Sequence, residues 1–266
     1  MTPGHRPRKR FGQHFLEAAW VTRLVDLLSA QPNDTFLEIG PGRGALTARL
    51  APRVARLLCV EIDRDLSALL RESMPRNVEI TTGDFLEANV RELAGPGTIE
   101  IRVVGNLPYN ISSPILFKLL RDAEGPPRLI DATLMLQKEV ADRLAAAPGT
   151  EDYGVLAVQT ARVAEVTTLL TLPPGAFRPP PRVTSAVVQL RFRPSPVDVG
   201  DPGTFERVVR GAFLQRRKML VNALEAVLSA VGRSPREALE RAGIDPRKRP
   251  EALTLAEFAR LSRAVL

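Results

Sequence analysis

One cysteine, two histidines and no apolar run near the ~20 residues a membrane span needs: each shortage closes a class of function. Cys59 alone cannot form an internal disulfide. With only two histidines beside it, the chain is a poor source of metal ligands, which argues against structural zinc and against secretion. The N-terminus lacks the apolar core of a signal peptide, so a cytoplasmic protein with no membrane attachment is expected. There is no internal repeat or low-complexity tract, and a hydrophobic content of 44% across 266 residues argues against disorder. The chain is long enough to bury a main domain and a smaller companion.

Basic side chains are in excess at both ends. Residues 1–12 hold Arg6, Arg8, Lys9 and Arg10 with no acid, and residues 203–266 hold 13 basic against 7 acidic side chains, within a net charge of +7. Positive charge gathered in this way suits a phosphate-backbone partner, because each neutralised phosphate releases counterions. General solubility of an arginine-rich chain accounts for it equally well.

Short apolar, β-branched runs recur at TFLEI (35–39), RLLCVEI (56–62), NVEIT (77–81), IEIRVVG (99–105) and LIDATLML (129–136). Stretches of helical spacing lie between the first and second, between the second and third, and after the fourth. Strands alternating with helices require right-handed crossovers and a parallel sheet covered on both faces, so the fold class is α/β, doubly wound. VAEVTTLLTL and RVTSAVVQLRF, joined by a proline-rich connection, are expected to extend the sheet at its edge as an antiparallel pair. The turn-rich stretch 194–203 is read as a linker, placing a catalytic domain at 1–196 and a small all-helical domain at 197–266. Ser234 and Thr254 mark helix starts there, and the basic triplet Arg216-Arg217-Lys218 is expected to open an amphipathic helix.

The first strand runs into Gly40-Pro41-Gly42-Arg43-Gly44, where glycines let a ligand approach the backbone at the carboxyl end of a strand. Glu61 ends the second strand 19 residues after Gly42 and is suited to ribose hydroxyls. Either a nicotinamide dinucleotide or S-adenosylmethionine fits that pair. Asp84, after the next strand, suits an adenine amine or a helix cap, and Phe85 suits the ring face. Asn106-Leu107-Pro108-Tyr109 closes the fourth strand. The Asn106 side-chain oxygen and the Leu107 carbonyl can converge as two acceptors on one planar amine. Pro108 restricts its neighbour and has no N–H to compete, and Tyr109 offers a face for a base. Two such acceptors localise the lone pair of an adenine N6 toward an electrophilic methyl, by preorganised stabilisation of growing positive charge. Trp20, Met135 and Met219 read as packing, and Cys59 as a buried inert residue.

These motifs, with Arg10-Phe11-Gly12-Gln13-His14-Phe15-Leu16, LQKEVADRL (136–144), Phe177-Arg178-Pro179-Pro180-Pro181-Arg182-Val183 and QRRKMLVNAL (215–224), follow an order that resembles the small-subunit ribosomal RNA adenine N6,N6-dimethyltransferases over nearly the whole length. The resemblance implies a class I, Rossmann-like methyltransferase sheet and S-adenosylmethionine as cofactor. His14 and Leu16 would hold its methionine end, Gly40 and Gly42 would admit it, Glu61 would take its ribose and Asp84 its adenine. Asn106 would lie between cofactor and target. The target adenine would be gripped by Asn106 and Leu107, just ahead of Pro108, and stacked by Tyr109 with Phe177 on its far side. Arg8, Lys9, Arg10, Arg216, Arg217 and Lys218 would touch RNA phosphates. Position 14 departs from the family's commoner asparagine, although an imidazole can still donate or accept.

By the same resemblance, the substrate would be two adjacent adenosines in the terminal hairpin of small-subunit rRNA within a pre-ribosomal particle, met by a monomer. A macrolide-resistance methyltransferase acting on large-subunit rRNA is the nearest rival. The FRPPPRVTSAVVQL loop and the QRRKMLVNAL helix favour the small subunit. A ribosome-assembly factor whose catalysis is secondary is a second rival, and hydride transfer is disfavoured because NLPY has no part in it.

Overall fold

A computed structural model describes residues 14–265, so Arg8, Lys9 and Arg10 lie outside the described residues. Among the described residues, the first compact unit comprises 14–141 and 165–192. After β1 (Phe15–Leu16) and α1 (Ala18–Leu27) come β2 (Thr35–Ile39), α2 (Thr47–Leu50), β3 (Arg56–Glu61), α3 (Arg64–Ser73) and β4 (Val78–Thr82). Then follow α4 (Val90–Ala94), β5 (Glu100–Asn106), α5 (Ser112–Asp122), β6 (Arg128–Gln137), α6 (Lys138–Ala145) and α7 (Val155–Val163). The strands close with β7 (Ala164–Leu172), β8 (Phe177–Arg178) and β9 (Ser185–Phe192).

Seven strands form one sheet in the order β4-β3-β2-β5-β6-β9-β7. Pairs from β4 to β6 are parallel and β6–β9 is antiparallel. The chain leaves β2 for β3 on one side and later returns to β5 on the other, so connections diverge at the carboxyl ends of β2 and β5. That reversal of strand order opens a crevice in doubly wound sheets. β5 can reach it because of Gly105, which pairs with Ile39; a Cβ there would lie 2.9 Å from the Ile39 carbonyl oxygen. The missing side chain brings the end of β5, and with it Asn106, close against β2.

β1 and β8 form a separate antiparallel ribbon, with Phe15 opposite Arg178 and Leu16 opposite Phe177. Beneath it Val25, Phe36, Leu57, Val104, Met135 and Phe177 share one apolar core, with Trp20 packed at its margin and Cys59 buried within it.

The second unit takes residues 142–164 together with 193–265. It contains α7, α8 (Pro202–Leu214), α9 (Leu220–Ala223), α10 (Glu225–Ser229), α11 (Pro235–Ala242) and α12 (Leu255–Val265). A linear division at 196/197 does not capture this arrangement, because Tyr153, Ala157 and Val158 share a core with Phe205, Leu239 and Phe258. Local chemistry sets the helix ends. The Ser234 hydroxyl accepts from the Glu237 N–H, and Gly243 closes α11 in the left-handed conformation. Thr254 and Glu257 exchange side-chain and backbone hydrogen bonds at the start of α12, as in a capping box.

Two expectations need correction here. The basic triplet does not open a helix: residues 215–219 form the turn between α8 and α9, where the Lys218 N–H donates to the Gln215 carbonyl. Met219, read as core, is 42% exposed because it stands at the N-cap of α9, ahead of the buried Leu220.

Candidate active site

The carboxyl ends of β2, β3 and β5, the loop after β4 and the ribbon strand β1 enclose a cavity of about 1160 Å³. His14, Leu16, Gly40, Gly42, Glu61, Asp84, Asn106, Leu107, Pro108 and Tyr109 all line it. Residues from five places in the sequence thus meet at one surface.

The glycine loop is tied to β3 by a carboxylate. Glu61 Oε2 accepts from the Gly42 N–H at 2.9 Å, and its Oε1 accepts from the Asp63 N–H at 2.9 Å. Burial pushes the Glu61 carboxyl above its ordinary range, the two backbone donors oppose that shift, and the Asp63 charge adds to it. Gly42 has φ +58°, and a Cβ there would sit 3.2 Å from the Phe15 ring, so the loop turns under β1 only without a side chain. The Arg43 guanidinium lies 4.4 Å from the centre of that same ring.

Asp84 lines the cavity at the start of a turn over residues 85–87, and no helix begins at it. Its Oδ1 caps the Leu86 N–H at 2.9 Å, and its other oxygen has no partner among the described residues. Phe85 is buried along the cavity wall, with the Lys118 ammonium 5.3 Å from its ring centre.

At the end of β5 the Asn106 amide is oriented by a main-chain carbonyl: Nδ2 donates to the His14 oxygen at 2.7 Å. A carbonyl can only accept, so the amide end facing His14 is the NH₂, and the oxygen end has no partner among the described residues. The Leu107 N–H is spent on the Met135 carbonyl at 3.2 Å, whereas no described residue donates to the Leu107 carbonyl. Two unclaimed carbonyl-type acceptors therefore stand on consecutive residues. The Tyr109 hydroxyl bonds to Ser185 Oγ at the start of β9, and burial raises its pKa while that bond lowers it. The Tyr109 ring stacks on His14, with centroids 5.4 Å apart and planes 25° from parallel.

Phe177 is not brought to this surface. It is 0% exposed and packed in the core beneath the ribbon, so its ring presents no face to the cavity. Its pairing with Leu16 turns the side chain inward, and its neighbour Arg178 lines the cavity instead. In the second unit Arg216 is occupied, with Nε 3.1 Å from Glu251 Oε2 and Nη2 donating to the Thr150 carbonyl at 3.3 Å. Arg217 and Lys218 are exposed.

Two polar groups of this region were given no role by the sequence reading. Glu38 is buried at the cavity wall, where Oε2 accepts from the Thr47 hydroxyl at 2.8 Å. An acid inside the apolar run FLEIG was the available signal. Ser185 had none, since it meets Tyr109 only through β9 pairing with β6.

The model of a family described as ribosomal RNA adenine dimethylase matches residues 4–265. A ribosomal RNA small subunit methyltransferase A of Geobacter metallireducens is 48% identical, covering 99% of this chain and 97% of its own. A protein of the same description from Pseudomonas aeruginosa is 45% identical, covering 97% of this chain and 94% of its own. Among solved structures, a dimethyladenosine transferase from Plasmodium falciparum superposes with TM-score 0.74 at 25% identity, over 93% of this chain and 96% of its own. The 23S rRNA methyltransferase ErmE gives 0.64 at 27% identity, over 94% and 99%.

Proposed function

Because this chain belongs to the ribosomal RNA adenine dimethylase family, we propose that it dimethylates N6 of two adjacent adenosines in the 3′-terminal hairpin of small-subunit rRNA, with S-adenosylmethionine as methyl donor. It acts in the cytoplasm as a monomer on a pre-ribosomal small-subunit particle. The arrangement that carries the reading is the pair of acceptors at Asn106 and Leu107, with the amide orientation fixed by His14, inside a cavity that also holds Gly42, Glu61 and Asp84.

The donor set fits this cofactor. At about 1160 Å³ the cavity exceeds the ~300–1,000 Å³ usual for one small ligand, which leaves room for a nucleotide beside the cofactor. Glu61 retains acceptor capacity for ribose hydroxyls beyond its two backbone bonds, and the free oxygen of Asp84 can take an adenine amine. When bound, S-adenosylmethionine supplies an electrophilic methyl on a cationic sulfur.

The chain's own residues prepare the nucleophile. An adenine N6 lone pair is delocalised into its ring, and acceptors at Asn106 Oδ1 and the Leu107 carbonyl favour a pyramidal amine with the lone pair localised. As the N6–methyl bond would form at the expense of the donor's methyl–sulfur bond, whose electron pair stays with a neutral thioether, positive charge grows on nitrogen and the two carbonyl dipoles stabilise it without reorganising. The proton then passes to water. After one transfer a single N–H remains, so one acceptor suffices for the second. The target base must leave its stack, which costs less in a hairpin loop than in a duplex.

Purified protein, methyl-labelled cofactor and unmethylated small subunits test this reading, with the product nucleosides identified by mass spectrometry. Asn106→Ala should fold normally and lose about 3–4 kcal/mol of transition-state stabilisation, the cost typical of one preorganised partner. Wild-type turnover in that variant, or label confined to large subunits, refutes the assignment.

A further inference from the structure

We propose that His14 is a positioning residue that acts through Tyr109, holding the tyrosine ring as a fixed platform for the target base. This deepens the reading above and rests on it. Three contacts carry it. The ribbon register puts Phe15 opposite Arg178, which sets His14 beside Pro179, and the imidazole Nδ1 lies 2.8 Å from the Pro179 carbonyl oxygen. That oxygen can only accept, so Nδ1 carries the proton and the ring is held by a directed bond. The imidazole then stacks on Tyr109, with centroids 5.4 Å apart and planes 25° from parallel. Finally, the His14 carbonyl holds the amide of Asn106, three residues before Tyr109.

The base platform and the catalytic amide are therefore referred to the same residue. Tyr109 is restrained at its hydroxyl by Ser185 and across one ring face by His14. Without the imidazole the hydroxyl bond alone would let the ring tilt about that anchor, and a base stacked on it would carry its N6 away from the two acceptors. Misplacement on this scale slows transfer without weakening cofactor binding, since correct geometry acts on the reacting atoms.

The test is a double-mutant cycle in transfer rate at saturating RNA and cofactor, with cofactor affinity measured separately by calorimetry. His14→Ala should slow transfer about tenfold, the order expected for losing one aromatic pair and one hydrogen bond, while cofactor affinity stays within twofold, because the imidazole is engaged by Pro179 and Tyr109 and not by the methionine end that the family resemblance assigned to it. His14→Phe keeps the stacking and should recover most of the rate. In a Tyr109→Ala background, His14→Ala should cost almost nothing more, because its effect passes through the missing ring. Additive losses, an unchanged or faster His14→Ala enzyme, a His14→Phe variant as slow as His14→Ala, or a matching fall in cofactor affinity each overturn the proposal. If wild-type protein instead labels large-subunit RNA, the functional reading fails by itself, and the same cycle on that substrate still decides the role of His14.

Discussion

Replacing Glu38 by Gln should change how stability depends on pH, and the size of the change follows from the burial of this one carboxyl. Glu38 is 2% exposed in β2, with Thr47 donating to Oε2 and the Cys59 thiol 4.0 Å from the same oxygen. Burial drives its pKa from an ordinary 4.5 up to about 7; the Thr47 bond opposes this, and the charge of nearby Glu61 adds to it. In the unfolded chain the group ionises near 4.5, so between that value and about 7 the folded state binds more protons than the unfolded one. Its contribution to stability is whole below 4.5 and is lost as pH rises through about 7. At about 1.36 kcal/mol per pH unit, the rise from 4.5 to about 7 corresponds to about 3 kcal/mol. Glutamine imitates the neutral acid and does not titrate. The unfolding free energy of Glu38→Gln relative to wild type should therefore climb by about 3 kcal/mol between acid and mildly alkaline conditions, whatever constant offset the new amide introduces. Urea denaturation of both proteins across that range measures it. A difference that does not vary with pH would mean that Glu38 is already charged in the fold, and would refute the reasoning.

Glu61→Ala should weaken S-adenosylmethionine binding by roughly ten- to a hundredfold, since a charged acceptor that also anchors the Gly42 N–H is lost; calorimetry should find RNA affinity unchanged within twofold. Arg217 and Lys218 changed together to Ala should weaken small-subunit binding and reduce the slope of log affinity against log salt by about 0.7–0.9 per lost phosphate contact, and parallel salt plots would return them to a merely solvated turn. Arg216→Ala should instead lower the melting temperature with little change in that slope, because its guanidinium is held by Glu251 and Thr150.

Much of the site was legible along the chain because its parts are local. A glycine-rich turn, an acid at a strand end and NLPY each advertise themselves within a few residues, and strands 35–39 and 56–61 fall where period and β-branching place them. The caps of α11 and α12 were readable at Ser234 and Thr254 for the same reason. Tertiary structure decided what depends on pairing between distant segments. The register of β1 on β8 buries Phe177 and sets His14 beside Pro179, and neither follows from the residues nearby. Arg216 looks like its neighbours until Glu251 and Thr150, far away in sequence, take its guanidinium. Residues 142–164 join the helical unit because their apolar side chains find a core assembled from the other end of the chain. Local periodicity records which face a segment must bury, but not which partner buries it. That partner is selected only when strands pair and side chains close-pack in three dimensions.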